Sequence, residues 1–296
     1  MQPSTLPEVK LALDVRANLG EGPIWDARRQ VLYWVDIHGF NLHIYDPAAK
    51  TDRVIHVGQH IGTVVPRRSG GVVVALREGI AALDLDTEQL TFLARPEHNK
   101  PTNRFNDGKC DPAGRFWAGT MSLNREQNAG SLWRLDPDLS CHRMVTGVTT
   151  SNGIVWSPDK KTMYYIDTPT GRVDAFDYDN DTGDIANRRP AITIALEDGR
   201  PDGMTTDAEG MLWVAHWDGG RVTRWDPLTG KLLQTIRVPA SRTTACAFGG
   251  PNLTDLYITT ARTGLTDEQL QHQPHAGGVF RVTTGAKGTE SFEFLG

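Results

Sequence analysis

The residues best suited to chemistry recur at one interval. Glu21, Ile61, Asn106, Asn152, Asp202 and Thr244 open the stretches EGPIWD, IGTVVP, NDGKCD, NGIVWS, DGMTTD and TACAFG. Their positions lie 40, 45, 46, 50 and 42 residues apart. Four of them, Glu21, Asn106, Asn152 and Asp202, carry side-chain oxygens that bind cations. Asn-Gly and Asp-Gly are common turn dipeptides, so none of these positions is informative alone. Their shared register is. Two carboxylates brought together out of water repel unless something neutralises them, and a divalent cation does so. An oxygen-only donor set suits Ca²⁺ first, with Mg²⁺ and Mn²⁺ close behind. No Cys or His belongs to the ring, which argues against structural zinc but leaves Zn²⁺ or Fe²⁺ with water open. Glycine follows Glu21, Asn152 and Asp202 directly. A small neighbour is expected to leave room for a ligand close to the backbone.

The elements that must position these residues also repeat. VLYWVD (31–36), GVVVAL (71–76), RFWAGT (115–120), TMYYID (162–167), MLWVAH (211–216) and DLYITT (255–260) are strand-like runs spaced 40, 44, 47, 49 and 44 residues apart. Each is followed by a second strand with an Asp-rich turn, such as HIYDPAAK or TRWDPLTG, and then by a third, from DRVIHV in the first unit to SFEFL in the last. Six units of this length, each a meander of about four strands, predict an all-β fold, a six-bladed β-propeller. An isolated meander cannot bury both faces, whereas stacked blades can. The last unit is one strand short, and the segment 9–17, VKLALDVRA, is expected to close the ring there. On this reading the six runs from VLYWVD to DLYITT are the inner strands, and Glu21 and its counterparts lie in the turns that enter them. Residues 1–296 form one domain, with 1–8 flexible. The only helix candidate is TDEQLQ (266–271).

Composition excludes several classes of partner. The formal charge of −5 and the lack of a Lys/Arg run of five or more argue against nucleic acid and anionic membrane surfaces. No stretch of about 18 apolar residues occurs, so no membrane span is expected. The three cysteines, Cys110, Cys141 and Cys246, are widely spaced and read as reduced thiols. MQPSTLPEVK does not read as a signal peptide, and a cytoplasmic location is expected. A monomer or weak homodimer is anticipated.

Longer motifs carry a family likeness. LGEGPIWD (19–26), NRFNDGKCDPAGRFWAGTM (103–121), SNGIVWSPD (151–159), RPDGMTTDAEGMLWVA (200–215) and FGGPNLTDLYITTAR (248–262) together resemble the gluconolactonase-like family of regucalcin and the bacterial sugar lactonases. The resemblance spans nearly the whole chain. It implies a six-bladed propeller, one divalent metal ion and hydrolysis of sugar lactones. It implies Glu21, Asn152 and Asp202 as metal ligands, and Arg104 and Asn106 as contacts to substrate hydroxyls. The register alone leaves Asn106 and Asn152 undivided between these roles. The loop SLNREQN (122–128) departs from the acidic loop of animal members. It places Asn124 where a substrate-contacting glutamate would fall, with Glu126 two residues on.

The implied reaction is opening of an aldonolactone of the glucono-, xylono- or arabinono-lactone type to the aldonic acid. Asp202 is the candidate general base and Glu21 the second. Water activated on the ion is the alternative. Competing readings are a phosphotriesterase or paraoxonase-like hydrolase on the same scaffold, a protein-binding receptor-type propeller, and a calcium-binding propeller without catalysis. His216 and the tryptophans at 25, 117, 156 and 213 read as packing groups. Asp36 and Asp167 read as turn caps, and Asp111 and Asp207 as blade corners.

Overall fold

The structure, a computed structural model, describes residues 8–296. The flexibility expected for the first eight residues falls, for 1–7, outside the described residues. Among the described residues, twenty-four strands form six antiparallel sheets of four. Blade one comprises Gly20–Asp26, Val31–Asp36, Asn41–Asp46 and Thr51–His56. Blade two comprises Ile61–Pro66, Val72–Leu76, Gly79–Leu83 and Leu90–Ala94. Blade three runs from Asn103–Cys110 through Phe116–Ser122 and Gly130–Leu135 to Cys141–Val148. Blade four runs from Ser151–Trp156 through Thr162–Asp167 and Arg172–Tyr178 to Ile185–Thr193. Blade five holds Arg200–Thr206, Leu212–Trp217, Arg221–Asp226 and Lys231–Arg237. Blade six holds Thr243–Gly249, Asp255–Thr260 and Val279–Thr283, completed by Lys10–Leu13. The first strands of neighbouring blades touch in a closed cycle, blade six meeting blade one. This is the six-bladed β-propeller expected from the repeat.

The N-terminal strand closes the last blade as expected. Lys10 pairs with Arg281 and Leu11 with Phe280, antiparallel. Two strand assignments need correction. EGPIWD and its counterparts are not entry turns but the innermost strands, and the VLYWVD set lies second in each sheet. Their mixture of Glu, Asn, Asp, Gly and Pro imitates a turn because each carries a bulge and all but Ile61–Pro66 a polar tip. SFEFL is not an outer strand of blade six. Phe294 makes a parallel bridge to Arg67 of blade two, and its fully buried ring joins the core of blades one to three.

The core lies between blades. Val72–Leu76 is buried at every residue because both faces of that strand meet other blades. Trp34, Trp117 and Trp213 are fully buried on second strands. Their size fills the gap as the blades splay outward. Aspartates fix the corners. Asp111 accepts the backbone N–H groups of Ala113 and Arg115 and, at 2.9 Å, the indole N–H of Trp117. Asp207 repeats the arrangement with Glu209, Met211 and the indole of Trp213, also at 2.9 Å. Asp36 and Asp167 cap the opposite end, accepting N–H groups of Asn18 and Leu19 and of Thr149 and Thr150 respectively. The one α-helix among the described residues, Asp267–His272, starts at a reciprocal cap between Thr266 and Gln269. No helix among the described residues is long and apolar enough to cross a membrane.

Candidate metal and substrate site

All six innermost strands are irregular at the same height. Pairing with the second strand shifts between Glu21 and Ile24, Ile61 and Thr63, Phe105 and Gly108, Ser151 and Ile154, Pro201 and Met204, and Thr243 and Ala245. A β-bulge re-aims the side chains it carries. The bulges include or border Glu21, Asn106, Asn152, Asp202 and Thr244, which is why the repeat was visible at these positions. All five are buried, between 0% and 5% exposed. The glycines serve a different purpose from the one expected. A Cβ on Gly153 would lie 2.9 Å from the carbonyl oxygen of Asp202, and one on Gly203 would lie 2.4 Å from Cβ of Ala245. Their missing side chains make room for the innermost strand of the next blade rather than for a ligand.

A chain of hydrogen bonds crosses three blades at this level. Arg104 donates from Nη1 to the carbonyl oxygen of Phe105 at 2.9 Å and to Oδ1 of Asn106 at 2.7 Å. Asn106 donates from Nδ2 to the carbonyl of Ser151 at 2.7 Å and to Oδ1 of Asn152 at 3.0 Å. Asn152 donates from Nδ2 to Oγ1 of Thr168 at 2.7 Å, and Thr168 donates to the carbonyl of Pro201 at 2.9 Å. The chain ends one residue from Asp202. It fixes both amides: each oxygen accepts from the preceding member and each nitrogen donates to the next.

The carboxylates face an electrostatic problem. Burial, then the charge of Asp107, pushes Glu21 up to about 8. Burial, then Glu21 and Asp107, pushes Asp202 well above the usual carboxylate range. Burial, opposed by Glu21 and Asp202, lowers Arg104 to about 10. Oδ1 of Asp202 is buried without a hydrogen-bond partner, and so is Oδ2 of Asp107. Orphaned carboxylate oxygens beside like charges are the setting that a cation relieves. Among the described residues no three His, Cys, Asp or Glu side chains form a ready metal cluster. The donor set here holds two carboxylates, and its third member is a carboxamide. Glu21, Asn152 and Asp202 therefore fit a hard divalent ion by chemistry.

The structure brings Arg104, Asn106 and Asn152 into direct contact and couples Glu21, Asp202 and Arg104 by charge. It does not bring Asn124 into that network. Asn124 is exposed in the loop after Phe116–Ser122, with its backbone N–H on Oγ of Ser122 at 3.1 Å. Three members escaped the sequence reading. Asp107 shares a bulge with Asn106, and that adjacency was the available signal. Lys109 reaches across to the carbonyl of Met204 at 2.8 Å, where its charge opposes the rise in Glu21 and Asp107. Thr168, in a short 3₁₀ turn, carries no motif at all. His216 is a satisfied packing group as read. Its Nδ1 lies 3.0 Å from the carbonyl of Asp198 and its Nε2 lies 2.6 Å from Oγ1 of Thr223.

Comparison with known proteins places this geometry. The family described as SMP-30/Gluconolactonase/LRE-like region matches residues 19–262. Regucalcin of Xenopus laevis is 45% identical, covering 94% of this chain and 95% of the relative. A Bacillus subtilis protein, YvrE, whose name assigns it provisionally as a sugar lactone lactonase, is 42% identical over 97% of this chain and 98% of its own. The solved structure of regucalcin from Agrobacterium tumefaciens, titled a calcium-binding protein, superposes with a TM-score of 0.93 at 29% identity, covering 97% of both chains. With the fold, the ring of bulges and near full-length identity in agreement, the chain belongs to the SMP-30/gluconolactonase/LRE-like family.

Proposed function

We propose that this protein is a metal-dependent sugar lactonase that hydrolyses an aldonolactone to the aldonic acid. The observation that carries the reading is the orphaned, buried Oδ1 of Asp202 beside the Glu21 carboxylate, with the oriented carboxamide of Asn152 in the next blade. Glu21, Asn152 and Asp202 would hold the ion, and the calcium-binding title of the Agrobacterium relative together with the all-oxygen donors favours Ca²⁺. When bound, a divalent ion supplies Lewis-acid polarisation of the lactone carbonyl.

The protein's own groups do the rest. Arg104 spends Nη1 on Phe105 and Asn106, which leaves Nε and Nη2 as donors to lactone hydroxyls or the carbonyl. Asn106 is held by three bonds and positions the guanidinium. Asp202 accepts the proton as the oxygen of water bonds to the carbonyl carbon. The ring C–O bond then breaks, and the departing oxygen takes the proton held by Asp202 and becomes a hydroxyl. Asn124, on the loop beside blade three, is the proposed outer contact to substrate.

A pH-indicator assay on glucono-, xylono- and arabinono-lactones tests the reading. Acid release that EDTA abolishes and Ca²⁺ restores supports it. Cation binding without acid release on any lactone removes the catalytic claim and leaves a calcium-binding propeller.

A further inference from the structure

A second group of chemically able side chains stands beside Arg104 and takes no part in the hub. His38 follows the second strand of blade one, two residues after Asp36, which pairs with Gly20 next to Glu21. His60 immediately precedes Ile61, the blade-two counterpart of Glu21. Both therefore stand at the Glu21 end of the channel. Their rings meet edge to face with centroids 5.6 Å apart and planes at 82°. Phe40 backs His60 at 4.9 Å and 72°. His38 is exposed and His60 half-buried.

These two imidazoles are unlike the other histidines. The chain has 9 histidines. His43, His56, His98, His142, His216 and His272 each have a hydrogen-bond partner, and His275 pairs with Asp14. Among the described residues, only His38 and His60 have neither ring nitrogen bonded to a protein group. His216, by contrast, has both ring nitrogens bonded. Partial desolvation and then the charge of Arg104 lower both His38 and His60, the latter to about 4, which favours the neutral form of each at pH 7. A neutral imidazole carries one donor and one acceptor. A sugar hydroxyl also donates and accepts, so the two match without an added charge.

We propose that His38 and His60 form a specificity subsite that recognises the hydroxyl groups of the lactone distal to its carbonyl, selecting a neutral polyhydroxylated ring over an unsubstituted one. The proposal rests on the lactonase reading for the placement of the carbonyl at Glu21, Asn152 and Asp202. Arg104 then lies between the carbonyl and the imidazoles, and the part of the substrate farthest from the reacting bond reaches the histidine pair. Phe40 holds the His60 ring upright and contributes no polar group of its own.

The test compares glucono-1,5-lactone with δ-valerolactone, which has the same ring and no hydroxyls. His60→Ala and His38→Ala should each lower kcat/KM for the hydroxylated lactone by roughly tenfold, the loss of about one hydrogen bond, mainly through KM. Their activity on δ-valerolactone should be unchanged, and His60→Gln should recover part of the loss. Equal losses on both lactones, or no loss on either, would overturn the subsite. A second measurement separates this idea from the lactonase reading. The imidazole NMR signals of His38 and His60 in the wild-type protein are followed as 1,5-anhydroglucitol, a ring polyol with no bond to hydrolyse, is added in the presence of Ca²⁺. Shifts confined to these two histidines support the subsite even if no lactone is turned over. Signals that stay fixed up to the solubility limit overturn it.

Discussion

Nδ2 of Asn106 donates to Oδ1 of Asn152 at 3.0 Å, joining blade three to blade four at the axis of the propeller. The contact explains why two amides at equivalent repeat positions have different prospects. Asn106 commits both amide hydrogens, to Ser151 and Asn152, and its oxygen takes the guanidinium of Arg104. Asn152 keeps one oxygen lone pair, and its nitrogen is tied back to Thr168. The amide of Asn152 is thus fixed with its oxygen on Asn106 and its nitrogen on Thr168, an orientation that repeat spacing alone did not reveal.

Thr168→Val should release that orientation. The variant keeps its shape but loses both the acceptor for Asn152 and the donor to Pro201. Affinity for Ca²⁺ measured by calorimetry should fall by about 10–100-fold, the usual effect of removing a group that orients a metal ligand. An unchanged Kd would show that Asn152 needs no such support.

Asp202→Asn should abolish turnover although the side chain is nearly isosteric, because the carboxamide cannot accept the proton from water. It should also weaken Ca²⁺ binding, since one of two carboxylates is lost. In the absence of metal the same change should raise the melting temperature, because it removes a buried carboxylate whose oxygen has no partner. Wild-type kcat in this variant would remove Asp202 from the role of base.

Gly203→Ala should destabilise the fold by about 1–3 kcal/mol, the range for forcing a methyl group into a packed core. The new Cβ would be 2.4 Å from that of Ala245, on the neighbouring innermost strand. Denaturant unfolding reads this directly. A variant as stable as the wild type would mean that the strands part without cost.

His216 should make the protein sensitive to mild acid. Burial lowers its folded pKa to about 4, from 6.5. The unfolded chain therefore binds the proton first as pH falls, and stability is complete above about pH 6.5 and lost progressively toward pH 4. The loss attributable to this residue is at most roughly 3 kcal/mol. Unfolding free energies at pH 7 and 4.5 should differ less in His216→Gln than in the wild type. Equal pH dependence in both would assign the acid lability to other groups.

Much of this architecture was legible in the chain because a propeller repeats itself. Each blade re-presents the same bulge at the same radius, so spacing exposed Glu21, Asn106, Asn152 and Asp202 before any contact was known. The identity of the innermost strand was not legible. Bulge residues and turn residues are drawn from one alphabet of Gly, Asn, Asp and Pro, and only the pairing partner tells them apart. The purpose of Gly153 and Gly203 was hidden for a related reason, since what a glycine avoids belongs to another blade. Thr168 and Lys109 act across blade boundaries on backbone carbonyls, and such acceptors leave no trace in side-chain spacing. SFEFL misled because an apolar alternation suits a strand and a plug equally well; Phe294 serves as the latter.

Blade six is stitched from opposite ends of the polypeptide, with Lys10–Leu13 laid against Val279–Thr283. On the ribosome the first of these emerges tens of seconds before the second, at ordinary rates of roughly 5–20 residues per second. Throughout that interval the nascent arc has a raw flank at each end, and the hub cannot assemble because its walls are not yet mutually braced. The proposed cation capture therefore belongs to the finished circle, and any nick that frees residues 10–13 should unlatch the hub from a distance.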